Sequence, residues 1–302
     1  MIPFVRNRLI TLPKRWLQIM GLLSLTRVYN IALIAAVQCV SVVFFFGDRI
    51  GDYDNLTDIK FWVLVLCTWI CVGAGYIINY FYDKEKDCFN SPFKSLLNES
   101  IPQAFTLRMY IMMNIVAVIV SVYVSPRSAL FFSGYIFMIW LYCHKIKKYP
   151  LLSNFFIAAL GIIPLFAVMI YKRCLDAYEM LPHGMFIYMI LLLLSLLGDM
   201  KNVKGDAAVG GRTVPTSWGE SRARIVLVWG FLTSSLVSGG VYMCERGSFF
   251  AFYYVVMCVF FITSCVMVWR NCSAETCRML HRLLKVLVLV GLCCVPMRNV
   301  FF

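Results

Sequence analysis

The chain alternates between long apolar stretches and short polar ones, and the apolar stretches have the length of a lipid bilayer. A spanning helix needs about 20 mostly apolar residues. Nine stretches qualify, at about 29–46, 61–81, 105–125, 128–146, 151–171, 183–200, 223–243, 249–269 and 276–296. Gly161 and Pro164 lie inside the fifth, which a membrane helix tolerates because neighbouring groups re-satisfy its backbone. The pattern predicts an all-α polytopic membrane protein, with nine transmembrane helices in one bundle around a central cavity. Residues 1–302 are expected to form a single membrane domain. Two polar intervals, about 82–104 and 201–222, exceed a tight turn. Each begins with acidic residues at the end of a span, and they lie four spans apart, which hints at two related halves.

Charge sets an expected orientation. With the N-terminus cytoplasmic, twenty of the 28 Lys and Arg fall on the cytoplasmic side. Seven fall opposite (Arg49, Lys60, Arg127, Lys172, Arg173, Arg246 and Arg298), and Lys285 sits within the last span. The acidic segments then face the cytoplasm, and a bacterial inner membrane is the expected location. Arg6, Arg8, Lys14 and Arg15 precede the first span without a small-residue cleavage site, so no removable signal peptide is expected.

Composition narrows the class. Hydrophobic residues make up 61% of the chain and charged ones 14%, against about 45–50% and about 25% in soluble domains. The net charge of +13 does not imply nucleic acid, because the basic residues flank apolar spans rather than forming a patch. The 13 Cys lie mostly inside apolar stretches, as Cys67, Cys71 and Cys258 do, and have neither metal-site nor disulfide-framework spacing.

Two acid-bearing segments could carry chemistry. Asn79, Asp83 and Asp87 are spaced i, i+4, i+8 and share one face of a helix. Stacked oxygen ligands at a membrane boundary suit Mg²⁺, a hard cation that favours carboxylates and substrate phosphates. The alternative is a solvated helix end balanced by Lys84 and Lys86. Asp199, Asn202 and Asp206, spaced i, i+3, i+7, form a second such face, followed by Gly210-Gly211-Arg212-Thr213. The alternative there is a polar loop starting at 199. Acids at the edge of hydrocarbon are costly, which favours a functional reading for both together. Tyr142, Lys147 and Asn154 form a basic and polar link between the fourth and fifth spans, and Arg27 and Asn30 start the first. Lys145 and Lys148 read as positive-inside anchors.

These residues resemble the UbiA superfamily of intramembrane prenyltransferases. That family has nine transmembrane helices and acidic motifs on the second and sixth. The run from Gly75 through Asn79, Asp83 and Asp87 to Pro92 is similar to the first motif. Lys204-Gly205-Asp206 with Gly210-Gly211-Arg212-Thr213-Val214-Pro215 is similar to the second. Leu25 to Asn30 resembles the start of the first helix, and Lys147 to Asn154 the link between the fourth and fifth. Asn202 departs from the pattern where a carboxylate is usual, and Tyr80 and Val28 depart where Asp or Gln and Pro are common.

The resemblance implies a Mg²⁺-dependent transfer of an isoprenyl group from a prenyl diphosphate to an aromatic or glycerol-phosphate-type acceptor within the bilayer. Asn79, Asp83 and Asp87 would hold one Mg²⁺, and Asp206 with Asp199 or Asn202 another. Asp83, Asp87 and Asp206 are the expected catalytic residues. Arg27, Lys147, Lys201 and Arg212 would bind the diphosphate, with Asn30, Tyr142 and Asn154 as further site candidates. The alternative reading is a UbiA-like protein whose activity Asn202 impairs or alters. A transporter fits less well, because its acids belong near the bilayer midplane.

Overall fold

The computed structural model describes residues 14–46, 53–91, 95, 97, 98, 101–173 and 180–299. Arg6 and Arg8 of the expected uncleaved N-terminus lie outside the described residues, as do Arg49, Asp48 and Asp52 of the first polar loop and Pro92 of the motif run. The described residues form twelve α-helices and no strand. They are α1 Lys14–Thr26, α2 Val28–Phe44, α3 Ile59–Asn90, α4 Gln103–Val124, α5 Pro126–His144, α6 Leu152–Lys172, α7 Leu181–Lys201, α8 Val203–Ala208, α9 Val214–Trp218, α10 Glu220–Cys244, α11 Ala251–Arg270 and α12 Ala274–Cys294. Eight (α3 to α7 and α10 to α12) are long and apolar enough to cross a membrane. The first expected span, 29–46, falls in the bent pair α1–α2, broken by 47°. Arg27 sits in that break with φ of +50°, a left-handed conformation costly for any residue with a Cβ.

Two expectations about the polar intervals change. The interval expected as loop from 82 is helical as far as Asn90, because α3 continues for nearly three turns past its apolar part. At about 1.5 Å per residue its 32 residues span about 48 Å, more than the roughly 30 Å hydrocarbon core. The interval 201–222 holds two short helices, α8 and α9, rather than a loop.

The contacts gather into two compact units, residues 1–36 with 59–145, and residues 37–58 with 146–302. In the first, α3 is the inner helix, with 61% of its apolar window buried against 11% for α4. Phe61, Leu64, Cys67, Cys71 and Ala74 of α3 are buried, as are Ala117, Phe132, Tyr135 and Ile139 of α4 and α5. Ile111, Ile115, Ile119 and Val122 of α4 stay exposed, as a lipid-facing surface requires. Ser125 and Pro126 break α4 from α5: proline opens the new helix and Ser125 Oγ accepts from the Ser128 amide at 3.1 Å.

In the second unit α7 is central, packing on α6, α10 and α12. Leu193 and Leu197 share a buried core with Leu227, Phe231, Phe261 and Leu284. Serines let α10 approach α11 closely: Ser238 Oγ donates to the Tyr254 carbonyl at 2.8 Å, and Ser235 Oγ lies 3.2 Å from Cys258 Sγ. Buried Gln38 donates to the carbonyl of Pro164 at 2.9 Å, tying α2 to α6. At the far end of α7 from Asp199, Glu245 is 3.0 Å from both His183 Nε2 and Arg298 Nε. Burial pushes the Glu245 carboxyl up, but the His183 hydrogen bond and the Arg298 charge outweigh it and hold the group below its ordinary range.

Candidate functional site

At the end of α3, burial stops at Ile78 and polar residues begin at Asn79. Asn79, Asp83 and Asp87 are half-buried, whereas Phe81, Tyr82, Glu85, Cys88 and Phe89 on the other sides are exposed. The unbroken helix therefore sets the three expected ligands in one sheltered row. Asn79 Nδ2 donates to Asp83 Oδ2 at 3.2 Å, and Cys143 Sγ of α5 lies 4.0 Å from Asn79 Oδ1. One turn earlier, Tyr76 receives both residues expected from the start of the first span. Asn30 Nδ2 donates to its hydroxyl at 3.1 Å, and the Arg27 guanidinium lies 5.0 Å from its ring centroid. Such a cation over a ring is stabilised by about 0.5–2 kcal/mol. Arg27 and Asn30 thus lie one helical turn from the acid row. Tyr142 is buried beside Cys143. His144 stacks on Trp140 and lies 3.2 Å from the Tyr82 hydroxyl.

At the end of α7 the arrangement differs. Asn154, near the start of α6, is 2% exposed. Its Nδ2 donates to Asp199 Oδ2 and to Ser195 Oγ, each at 2.9 Å, while its Oδ1 is buried with no hydrogen-bond partner. Asp199, Asn202 and Asp206, expected on one helical face, do not lie on one uninterrupted helix. The helix breaks at Asn202, whose φ of −107° and ψ of 8° are not helical. Asp206 lies in α8 and is fully buried, while Asp199 and Asn202 remain partly exposed.

The Gly-Gly-Arg-Thr tail has a local structural task. Gly210 takes φ of +66°, and a Cβ on Gly211 would lie 3.0 Å from the Asp206 carbonyl oxygen. The Gly211 amide donates to that oxygen at 2.7 Å, closing the turn over Asp206. Thr213 and Thr216 then cap α9: the Thr213 amide donates to Thr216 Oγ1 at 2.8 Å, and Thr216 Oγ1 donates to the Gly211 carbonyl at 2.6 Å. Arg212 is exposed beside this turn, and Lys147 is partly exposed in the 3₁₀ turn Ile146–Lys148. Lys201 Nζ lies 3.3 Å from His281 Nε2 of α12.

Sequence reasoning missed Ser195, Cys143 and Thr216. Ser195 carried a signal, since it stands four residues before Asp199 on the same helix. Cys143 carried none, because it meets Asn79 only through helix packing.

The donor set fits a hard divalent cation. Asp83 and Asp87 offer carboxylates and Asn79 a carboxamide. Among the described residues no three His, Cys, Asp or Glu side chains gather as a cage. Mg²⁺ does not need one, since it retains waters and takes substrate phosphate oxygens alongside one or two carboxylates.

The sequence pattern of the UbiA prenyltransferase family matches residues 42–287. Two relatives are digeranylgeranylglyceryl phosphate synthases. That of Thermococcus sibiricus is 28% identical over 57% of this chain and 59% of its own length. That of Pyrococcus furiosus is 26% identical over 72% of this chain and 76% of its own. Both are archaeal, and nothing in them supports the expected bacterial inner membrane. A solved structure of digeranylgeranylglyceryl phosphate synthase superimposes with a TM-score of 0.70 at 16% identity, over 92% of this chain and 97% of that one. A UbiA homolog from Archaeoglobus fulgidus, bound to GPP and Mg²⁺, does so at 0.62 and 12% identity, over 90% of this chain and 99% of that one. Fold and family pattern agree with the motifs, and the chain belongs to the UbiA prenyltransferase family.

Proposed function

We propose that this protein transfers a prenyl group from a prenyl diphosphate to a glycerol-phosphate-type lipid acceptor, with Mg²⁺ as cofactor. The observation that carries the reading is the sheltered row of Asn79, Asp83 and Asp87 on an unbroken helix. The names of the relatives favour this acceptor over an aromatic one: digeranylgeranylglyceryl phosphate carries two geranylgeranyl chains, so its precursor carries one.

Bound Mg²⁺ would supply Lewis-acid stabilisation of the departing diphosphate. Asp83 and Asp87, with the Asn79 carbonyl, are the proposed ligands of one ion. Asp199, held by Asn154, and Asp206 are proposed for another, with Asn202 beside them. Arg27, Lys147, Lys201 and Arg212 are proposed to offset the remaining phosphate charge. As the C–O bond of the allylic diphosphate breaks, the bilayer-embedded helices keep water from the carbocation until the acceptor hydroxyl attacks it. A second reading, altered activity, rests on Asn202, which adds no negative charge at the helix break.

The test incubates purified protein with labelled geranylgeranyl diphosphate, Mg²⁺ and geranylgeranylglyceryl phosphate, with hydroxybenzoate in a parallel reaction. Labelled diether lipid is the expected product, lost on adding EDTA. Product with hydroxybenzoate alone would overturn the acceptor, and no diphosphate release with either would overturn the transferase reading.

A further inference from the structure

A pair of thiols outside the proposed transferase machinery is built for chemistry of its own. The loop between α11 and α12 reads Asn271-Cys272-Ser273, and α12 begins at Ala274. Ser273 caps α12, its Oγ accepting from the Thr276 amide at 3.1 Å. With Ser273 as the cap, Cys272 precedes it by one position and Cys277 is the fourth residue of the helix. Those are the two positions whose side chains meet across a helix N-terminus, usually as an apolar contact that fixes the entry angle of the chain. Here both are cysteines, and their sulfurs lie 3.9 Å apart. Cys272 is partly exposed, and Cys277 is fully buried behind it.

The surroundings activate one partner. The hydrogen bond with Cys277 lowers the Cys272 thiol below its ordinary range, and the Arg224 charge adds to this against burial and Glu220. Arg224 Nε is itself buried without a hydrogen-bond partner. A solvent-accessible thiol of lowered pKa poised 3.9 Å from a second cysteine is the arrangement redox-sensing sites share. A merely apolar contact would need neither the exposure nor the cation.

We propose that Cys272 and Cys277 are a peroxide-reactive dithiol that closes to a disulfide and fastens the first turn of α12. The Cys272 thiolate attacks a hydroperoxide oxygen, the O–O bond breaks, and Cys272 becomes a sulfenic acid with release of water or the corresponding alcohol. Cys277 sulfur then attacks the Cys272 sulfur, the S–O bond breaks, and the oxygen leaves as a second water that takes up the Cys277 proton. With hydrogen peroxide, two thiols and one peroxide give one disulfide and two waters. Bond formation closes the sulfur–sulfur gap from 3.9 Å to about 2.05 Å.

The test uses the full chain in detergent micelles, exposed to graded hydrogen peroxide, alkylated with N-ethylmaleimide and mapped by peptide mass. The expected result is a dithiothreitol-reversible loss of two hydrogens linking Cys272 to Cys277. It should form at least about tenfold faster than oxidation of the exposed Cys88, Cys244 and Cys293. In Cys277→Ser, dimedone should trap a sulfenic acid on Cys272; in Cys272→Ser, Cys277 should stay unoxidised. Cys272 still alkylated after half of Cys88 is oxidised would overturn the proposal, as would a link formed with any other cysteine. The readout is mass rather than turnover, so it stands or falls separately from the transferase reading.

Discussion

Along α3 the helix runs unbroken through Asn79, Asp83 and Asp87, whereas α7 stops at Lys201 and the chain resumes as α8 at Val203. The first end presents its polar groups in a row set by helical repeat, with Asn79 bonded to Asp83 in that row. The second end depends on another helix, since Asp199 is held by Asn154 of α6. It depends also on a glycine turn that encloses Asp206. A ligand set within one helix is positioned as soon as that helix forms. One that spans helices exists only after they pack, and it responds to changes in residues that never touch a ligand.

This difference can be tested at several levels. Asp83→Ala or Asp87→Ala should lower turnover by about 10³-fold, on the scale of removing a group that stabilises developing charge. Turnover of labelled donor measures it, with gel filtration confirming the fold, and near-normal rates would remove α3 from the mechanism. Asn154→Ala should cost about 10–100-fold, because it removes a hydrogen bond that positions Asp199 without deleting a carboxylate. It should also raise the Mg²⁺ concentration for half-maximal activity, and an unchanged Mg²⁺ requirement would reduce Asn154 to a packing residue. Asn202→Asp should change activity by less than about threefold, because in the proposed site Asp199 supplies a carboxylate one turn away. A rise above tenfold would instead favour the altered-activity reading.

The smallest effect on turnover should come from Glu245, which sits with His183 and Arg298 at the other end of α7. Glu245→Gln should destabilise the fold by about 3 kcal/mol by leaving Arg298 without its carboxylate, while the Mg²⁺ requirement stays unchanged. Because the folded state holds this carboxyl below its ordinary value of 4.5, its contribution is complete above that pH. It is lost as the pH falls towards the lowered value. Thermal unfolding from pH 6 to pH 3 should show a steeper fall for the native protein than for the variant.

Much of this was readable along the chain. Apart from the C-terminal end of the second, the expected spans lie within a few residues of the observed helices, because lipid sets a minimum apolar length. The α3 row was readable because i, i+4 spacing is a local property. The continuation of α3 to Asn90 was not, since hydropathy marks where lipid ends and not where a helix ends. The break at Asn202 carried no proline, and the nearest glycine, Gly205, lies inside α8. The Thr213–Thr216 cap was a legible signal, spaced as a helix start requires.

By itself, then, the sequence determined the membrane class, the apolar segments long enough to span and the row on α3, because hydrophobic length and helical repeat act over a few turns of one segment. Tertiary structure alone decided that Asn154 would hold Asp199 and that Asp206 would be buried. Packing brings such partners together from distant parts of the chain, and no local spacing records which ones meet.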